Sequence, residues 1–232
     1  GIRDAHTYRW LGEFESGGVG PHELKRLGGQ HLVTANGGIL TRPEQGRKKL
    51  NLTTMAPNLT YLNYHTGEII EQIGPPDSKA SIRHLDVATD GTVAFGMQLQ
   101  RQACEHDHLV PLAAFHKLGQ RPKFLSEPDF VVQQLHDYVG SVTLSDRTRT
   151  AGFTSPKGDL AAFWDLDSGE FKGHHAVKDV CGLALNGAKD GFVLTNSFGT
   201  VHEIDARTLQ ERRERRQHFP ELAWDNHMLT LG

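Results

Sequence analysis

Imidazole and thiolate are the side chains that bind copper, zinc or iron most readily. The sequence holds 14 histidines and two cysteines, Cys104 and Cys181, in 232 residues. Several of them fall at one position of a recurring segment. Gly20-Pro21-His22-Glu23 lines up with Ile82-Arg83-His84-Leu85, Asp137-Tyr138-Val139-Gly140, Asp179-Val180-Cys181-Gly182 and Asp225-Asn226-His227-Met228. The third position then reads His22, His84, Val139, Cys181 and His227, at spacings of 62, 55, 42 and 46 residues. If the segments surround one axis, His22, His84, Cys181 and His227 converge on it as a transition-metal site for iron, copper or zinc. Val139 interrupts the series and puts such a site on one side of the axis. Glu23, Asp86, Asp179 and Asp225 lie close by in sequence and either orient a ligand from behind or fix the strand ends. The competing reading is structural, with each histidine satisfying backbone groups at a strand start.

A weaker metal candidate is Cys104-Glu105-His106-Asp107-His108. On an extended segment Cys104, His106 and His108 share a face; the alternative is a solvated polar loop between strands. Arg212-Arg213-Glu214-Arg215-Arg216 reads as a charged outermost strand, where charge discourages edge pairing, or else as an anion-binding patch. His174-His175 reads as surface at the start of a connection. No Gly-x-Ser-x-Gly elbow, His-Glu-x-x-His pair or phosphate-binding glycine loop is present, so no catalytic residue is assigned. The net charge of −3 lacks the basic surplus that nucleic-acid binding uses. Two cysteines 77 residues apart make no disulfide framework. No apolar run reaches the roughly 18 residues of a membrane-spanning helix.

The elements that must position these residues are short strands. Asp4-Ala5-His6-Thr7, Asn63-Tyr64-His65-Thr66, Asp165-Leu166-Asp167-Ser168 and Asp205-Ala206-Arg207-Thr208 each join two apolar runs. Asp or Asn followed three residues later by Thr or Ser is hairpin-turn chemistry. Between these hairpins lies a second kind, exemplified by Ile82 to Ala88, Asp90-Gly91 and Thr92 to Met97. Two hairpins in series make a four-stranded unit, and its repetition predicts an all-β fold, a β-propeller of antiparallel blades. Residues 1–232 read as one propeller domain with blades at about 18–78, 79–130, 131–177 and 178–219 and partial blades at 1–17 and 220–232. Leu160 to Asp165 is expected as a third strand and Trp224 to Leu231 as the first strand of the last partial blade. Trp164-Asp165 is not part of the tryptophan–aspartate repeat, because Gly173-His174 follows the pair instead of preceding it.

Gly20-Pro21-His22-Glu23-Leu24, Ala35-Asn36-Gly37-Gly38-Ile39, Gly46-Arg47-Lys48-Lys49-Leu50-Asn51-Leu52, Ser81-Ile82-Arg83-His84-Leu85-Asp86, Phe95-Gly96-Met97-Gln98, Tyr138-Val139-Gly140-Ser141 and Trp224-Asp225-Asn226-His227 occur in this order along the chain. Together they resemble the bacterial domain-of-unknown-function 1513 family. The resemblance implies a propeller of about seven blades, of which this chain is a C-terminal part without signal peptide or first blades. It also implies export, often by a twin-arginine signal, a periplasmic location, and genes beside imelysin-type proteins and dihaem-type oxidoreductases linked to iron uptake.

Three functions remain open. The leading one is a periplasmic binding or accessory protein in iron or copper acquisition, with a His/Cys site at the central channel. The second is a metal-free scaffold for an imelysin-type partner. The third is a metal-dependent propeller enzyme, an oxidoreductase or lactonase-like hydrolase. Fold alone does not choose between them.

Overall fold

Four hairpin turns repeat one hydrogen-bond scheme. In each, a side-chain oxygen of Asp4, Asn63, Asp165 or Asp205 accepts the N–H groups two and three residues ahead. In the Asp copies it also accepts the hydroxyl of Thr7, Ser168 or Thr208. The fifth residue of each turn, Tyr8, Gly67, Gly169 or Leu209, has positive φ and returns its N–H to the first carbonyl. This conformation reverses the chain tightly enough to pair the flanking strands.

The computed structural model describes residues 1–230. Strands β1 (Ile2–Arg3) and β2 (Trp10–Gly12) form a two-stranded sheet. Four antiparallel four-stranded sheets follow, each built from consecutive strands. The first holds β3 (Pro21–Arg26), β4 (His31–Asn36), β5 (Asn58–Asn63) and β6 (Ile69–Ile73). The second holds β7 (Ala80–Val87), β8 (Val93–Leu99), β9 (Ala113–His116) and β10 (Lys123–Phe124). The third holds β11 (Ser141–Ser145), β12 (Thr150–Ser155), β13 (Leu160–Asp165) and β14 (Phe171–Ala176). The fourth holds β15 (Val180–Leu185), β16 (Gly191–Asn196), β17 (Thr200–Asp205) and β18 (Gln217–His218). The first strands of successive sheets, β3, β7, β11 and β15, pack side by side, while β6, β14 and β18 lie largely open to solvent. First strand innermost and last strand outermost is the blade order of a propeller-like all-β fold.

Middle strands are covered on both faces by neighbouring sheets, so they lose the alternation of a half-buried strand. β13 is the clearest case, with Leu160 to Trp164 all buried. Trp164 is fully buried and its indole N–H donates to Glu127 O at 3.1 Å, on the link between the second and third sheets. Between the first two sheets, Tyr61 of β5 meets His116 Nδ1 of β9 at 2.6 Å, and His116 Nε2 lies 2.9 Å from Gln120 O. A carbonyl only accepts, so Nε2 carries the proton and Tyr61 O–H donates to Nδ1.

Several expectations need correction. A six-residue helix, α1 (Asp129–Gln134), precedes the third sheet and buries Val131 and Val132, where the reading of antiparallel blades names no helix. Arg213–Arg215 form a 3-10 turn instead of an outermost strand, because Arg212 is drawn inward. Its guanidinium reaches Asp190 at 2.9 Å and Glu203 and Asp205 at 2.7 Å each, so the charge of Arg212 clamps the fourth sheet. His174 and His175 lie within β14, not in a connection, and His175 Nε2 bonds Leu209 O at 2.8 Å. Residues 224–230 run beside β15, with Trp224 N–H on Asn196 O and Thr230 Oγ1 on Leu185 O, but they form no strand. A strand requires a hydrogen-bonding neighbour, and among the described residues no strand pairs with this segment; Leu231 lies outside them.

Candidate metal centre

On a regular strand consecutive side chains face opposite ways. His22 and Glu23 are consecutive, yet both reach His84 of the neighbouring sheet. The pairing explains it. Pro21 pairs with Asn36 and Glu23 with Ala35, leaving His22 as an extra, bulged residue. The same irregularity recurs in β7, where Ile82 pairs with Met97 and His84 with Gly96, and in β15, where Val180 pairs with Asn196 and Gly182 with Thr195. A bulge re-aims side chains and recurs beside functional sites. By hydrogen-bond register, therefore, His22 corresponds to Arg83 and Cys181, while Glu23 corresponds to His84 and Gly182. The sequence alignment, which set His22 against His84, is displaced by one residue there.

Three imidazoles meet at the inner strands. The ring of His84 lies 4.8 Å from that of His22 and 4.9 Å from that of His227, centroid to centroid, and His22 and His227 are 5.9 Å apart. Glu23, His84 and His227 each bring a donor atom into one space, all within 4.8 Å of one another. His84 is buried at 2% exposure, whereas Glu23 is half-buried and His227 exposed. Glu23 Oε2 accepts Leu85 N–H at 3.1 Å and stands 3.5 Å from His84 Nδ1. The other ring nitrogen, His84 Nε2, is buried with no hydrogen-bond partner among the described residues. A buried nitrogen without a partner is costly unless something is bound there.

The surroundings of His22 and His84 favour the neutral imidazole, which is the state that binds a metal. Burial pushes the His84 imidazole down, against the Glu23 carboxylate that favours its charged form. His22, although its side chain is exposed, is crowded by surrounding atoms that push it down to about 4, ahead of the charges of His84, Arg83 and His227. Burial works to raise the Glu23 carboxyl, but His84, Leu85 N–H and Lys25 outweigh it and leave it below its ordinary value. A cavity of about 320 Å³ opens beside His22 and Glu23, lined also by Phe14, Leu24 and Thr34. Further along the inner strands, Lys25, Asp86 and Thr143 line a cavity of about 200 Å³.

Cys181 stands apart from this group. As the bulged residue of β15 it turns its thiol to Trp224 O at 3.1 Å and Thr195 O at 3.7 Å, and burial raises its pKa. Gly182 occupies the position that Glu23 and His84 hold in their sheets, and Thr195 and Met228 fill the space a side chain there would need. Val139 is fully buried ahead of β11, its N–H on Met97 O. Of the acidic neighbours, Glu23 alone touches a site histidine among the described contacts. Asp86 accepts Leu144 N–H and pairs with Lys25, Asp179 takes the Ser197 hydroxyl, and Asp225 binds the N–H of Asn226.

Cys104, His106 and His108 line one cavity of about 430 Å³ with Asp77, but their ligand atoms are not gathered into one group among the described residues. A 3-10 turn, Arg101–Ala103, bends the chain ahead of them, and the Cys104 thiol points to Gln100 O. His106 and His108 are exposed, and His108 Nε2 lies 3.2 Å from Asp77.

The architecture and the sequence agree on the class, an all-β propeller-like protein with a histidine cluster at its inner strands. Residues 1–231 match the family described as "Protein of unknown function (DUF1513)", and the chain belongs to that family. No curated protein matches it. No helix is long and apolar enough to cross a membrane among the described residues.

Proposed function

We propose that this chain is a metal-binding propeller protein in which His84, His227 and His22 hold a transition-metal ion at the inner strands. His84 offers Nε2, and Glu23, from behind, orients the ring through Nδ1. A carboxylate on the far nitrogen of a ligating histidine fixes its tautomer and raises its basicity. The observation that carries the reading is the buried, unpartnered His84 Nε2, on a ring whose centroid lies 4.8 Å from that of His22 and 4.9 Å from that of His227. Imidazole ligands suit zinc, copper and iron. The family resemblance supports a place in periplasmic iron or copper acquisition, with an imelysin-type protein as partner.

Elemental analysis of the intact protein purified from periplasm tests this. The expected result is one equivalent of iron, copper or zinc, lost in a His84→Ala/His227→Ala double variant that melts as the parent does. A parent without metal that also takes none up on titration would overturn the reading and leave the scaffold for an imelysin-type partner.

A further inference from the structure

Arg83 immediately precedes His84, and the bulge in β7 displaces it from the regular pairing of the strand. It is half-buried, its Nε donates to Ser81 Oγ at 3.0 Å, and no carboxylate lies within 4.0 Å of its guanidinium among the described residues. Half-buried arginines without a counter-charge are uncommon, because losing water disfavours the charge unless an anion replaces it. Two lysines join it. Ser81 pairs with Gln98, and Gln98 bridges to Tyr138, whose ring carries the Lys157 ammonium at 4.9 Å from its centroid. Gln100, two residues along β8 and past its end, takes Lys49 on its side-chain oxygen. Lys49 and Lys157 also have no carboxylate within 4.0 Å among the described residues. The Lys49 ammonium is pushed down by burial and by the charges of Arg83 and Lys157, which places both of those cations near it. Arg83 in turn acts on both His22 and His84.

We infer that Arg83, Lys49 and Lys157 form an oxyanion site beside the histidines, so that the metal ion is taken up as a complex with a small carboxylate-bearing anion. The inference rests on the metal reading above. Arg83, with no carboxylate of its own beside His84, disfavours a bare divalent cation there, whereas a chelate whose anion offsets the metal's charge and presents free carboxylate oxygens is favoured. Arginine presents a planar fork that binds a carboxylate through two parallel hydrogen bonds. The anion then occupies the coordination positions that the histidines leave open, and Arg83 holds its outer oxygens. Metal and anion each favour the other's binding, and the coupling is reciprocal.

Calorimetry with Zn²⁺ alone, oxalate alone and the two together, on the whole chain and on Arg83→Gln and Lys49→Gln, tests this. In the parent, oxalate is expected to strengthen Zn²⁺ retention about tenfold, a coupling in the usual range. Arg83→Gln should lose that gain while binding Zn²⁺ alone as tightly as the parent or more tightly. Arg83→Lys, which keeps the charge without the fork, should restore part of it. Oxalate that strips Zn²⁺ equally from parent and Arg83→Gln overturns the inference and leaves the metal site standing. Failure of Zn²⁺ to bind with or without oxalate overturns the metal reading instead. In that case, Arg83-dependent binding of oxalate alone would still establish the anion site, though not the complex.

Discussion

Glu23 Oε2 lies 3.5 Å from His84 Nδ1 across the gap between two sheets, and the same oxygen accepts Leu85 N–H at 3.1 Å. One carboxylate thus ties the neighbouring inner strand in place and fixes which face of the His84 ring is left open. Glu23→Gln keeps an oxygen for Leu85 N–H but removes the charge behind the imidazole. Metal affinity should fall about 10- to 100-fold, the usual effect of losing such a partner, while the melting temperature changes little. Unaltered affinity in equilibrium dialysis would show that the carboxylate does not act through His84.

Tyr61 and His116 are fully or almost fully buried and bond only through Tyr61 O–H and His116 Nδ1 on that side of the ring. Tyr61→Phe leaves Nδ1 without a donor. The expected loss is about 1–3 kcal/mol of stability, read from urea unfolding, with metal binding unaffected. A stability equal to the parent's would mean that water or a rearranged ring replaces the bond.

The pH dependence has a definite sign. His22 titrates at about 4 in the folded chain against an ordinary value of 6.5. As pH falls through 6.5 the unfolded chain takes up the proton first, so stability is fully present above that value and declines toward pH 4. His84, also lowered, contributes in the same direction. His22→Gln should flatten the decline between pH 7 and pH 5 in denaturant titrations of the metal-free protein. The exposure of His22 keeps the effect small. A slope unchanged by the substitution would assign the dependence to other groups.

On the acid side, Glu211 is held down to about 2 by Arg216 and His202, against the opposing effect of burial. Its contribution is complete above its ordinary value of 4.5 and is lost as pH falls through about 2. The protection of β17 and β18 amides, exchange measured against the intrinsic rate at each pH, should therefore fall between pH 4 and pH 2 more in the parent than in Glu211→Gln. An equal loss of protection in both would remove this ion pair from the account.

Much of the fold is local chemistry and so was legible in the sequence. The turns at Asp4, Asn63, Asp165 and Asp205 depend on residues within five positions of one another, and each was visible as Asx and Thr or Ser at fixed offsets. The spacing of one histidine per repeat pointed to His22, His84 and His227, whose rings stand together. The bulges were not legible, because a bulge is defined by the partner strand, and β4, β8 and β16 carry no mark of it. That one-residue offset hid the correspondence of Glu23 with His84 and of Arg83 with His22; Cys181 does match the bulged His22 in register, but its thiol faces Trp224, a contact between segments that spacing does not show. Arg212 was obscured for a related reason, since its partners come from two separate places, Asp190 from the turn before β16 and Glu203 and Asp205 from β17.

The central claim is that His84, His227 and His22 hold one metal ion. Titration of the purified chain with Co²⁺, followed by its visible d–d absorption, tests it most directly, because that band reports how many nitrogen ligands surround the ion and in what geometry. The expected result is saturation at one equivalent with an imidazole-type spectrum, weakened in His22→Ala and abolished in His84→Ala and in His227→Ala. A spectrum that persists unchanged in His84→Ala, or one that never departs from that of hydrated Co²⁺ in the parent, would contradict it.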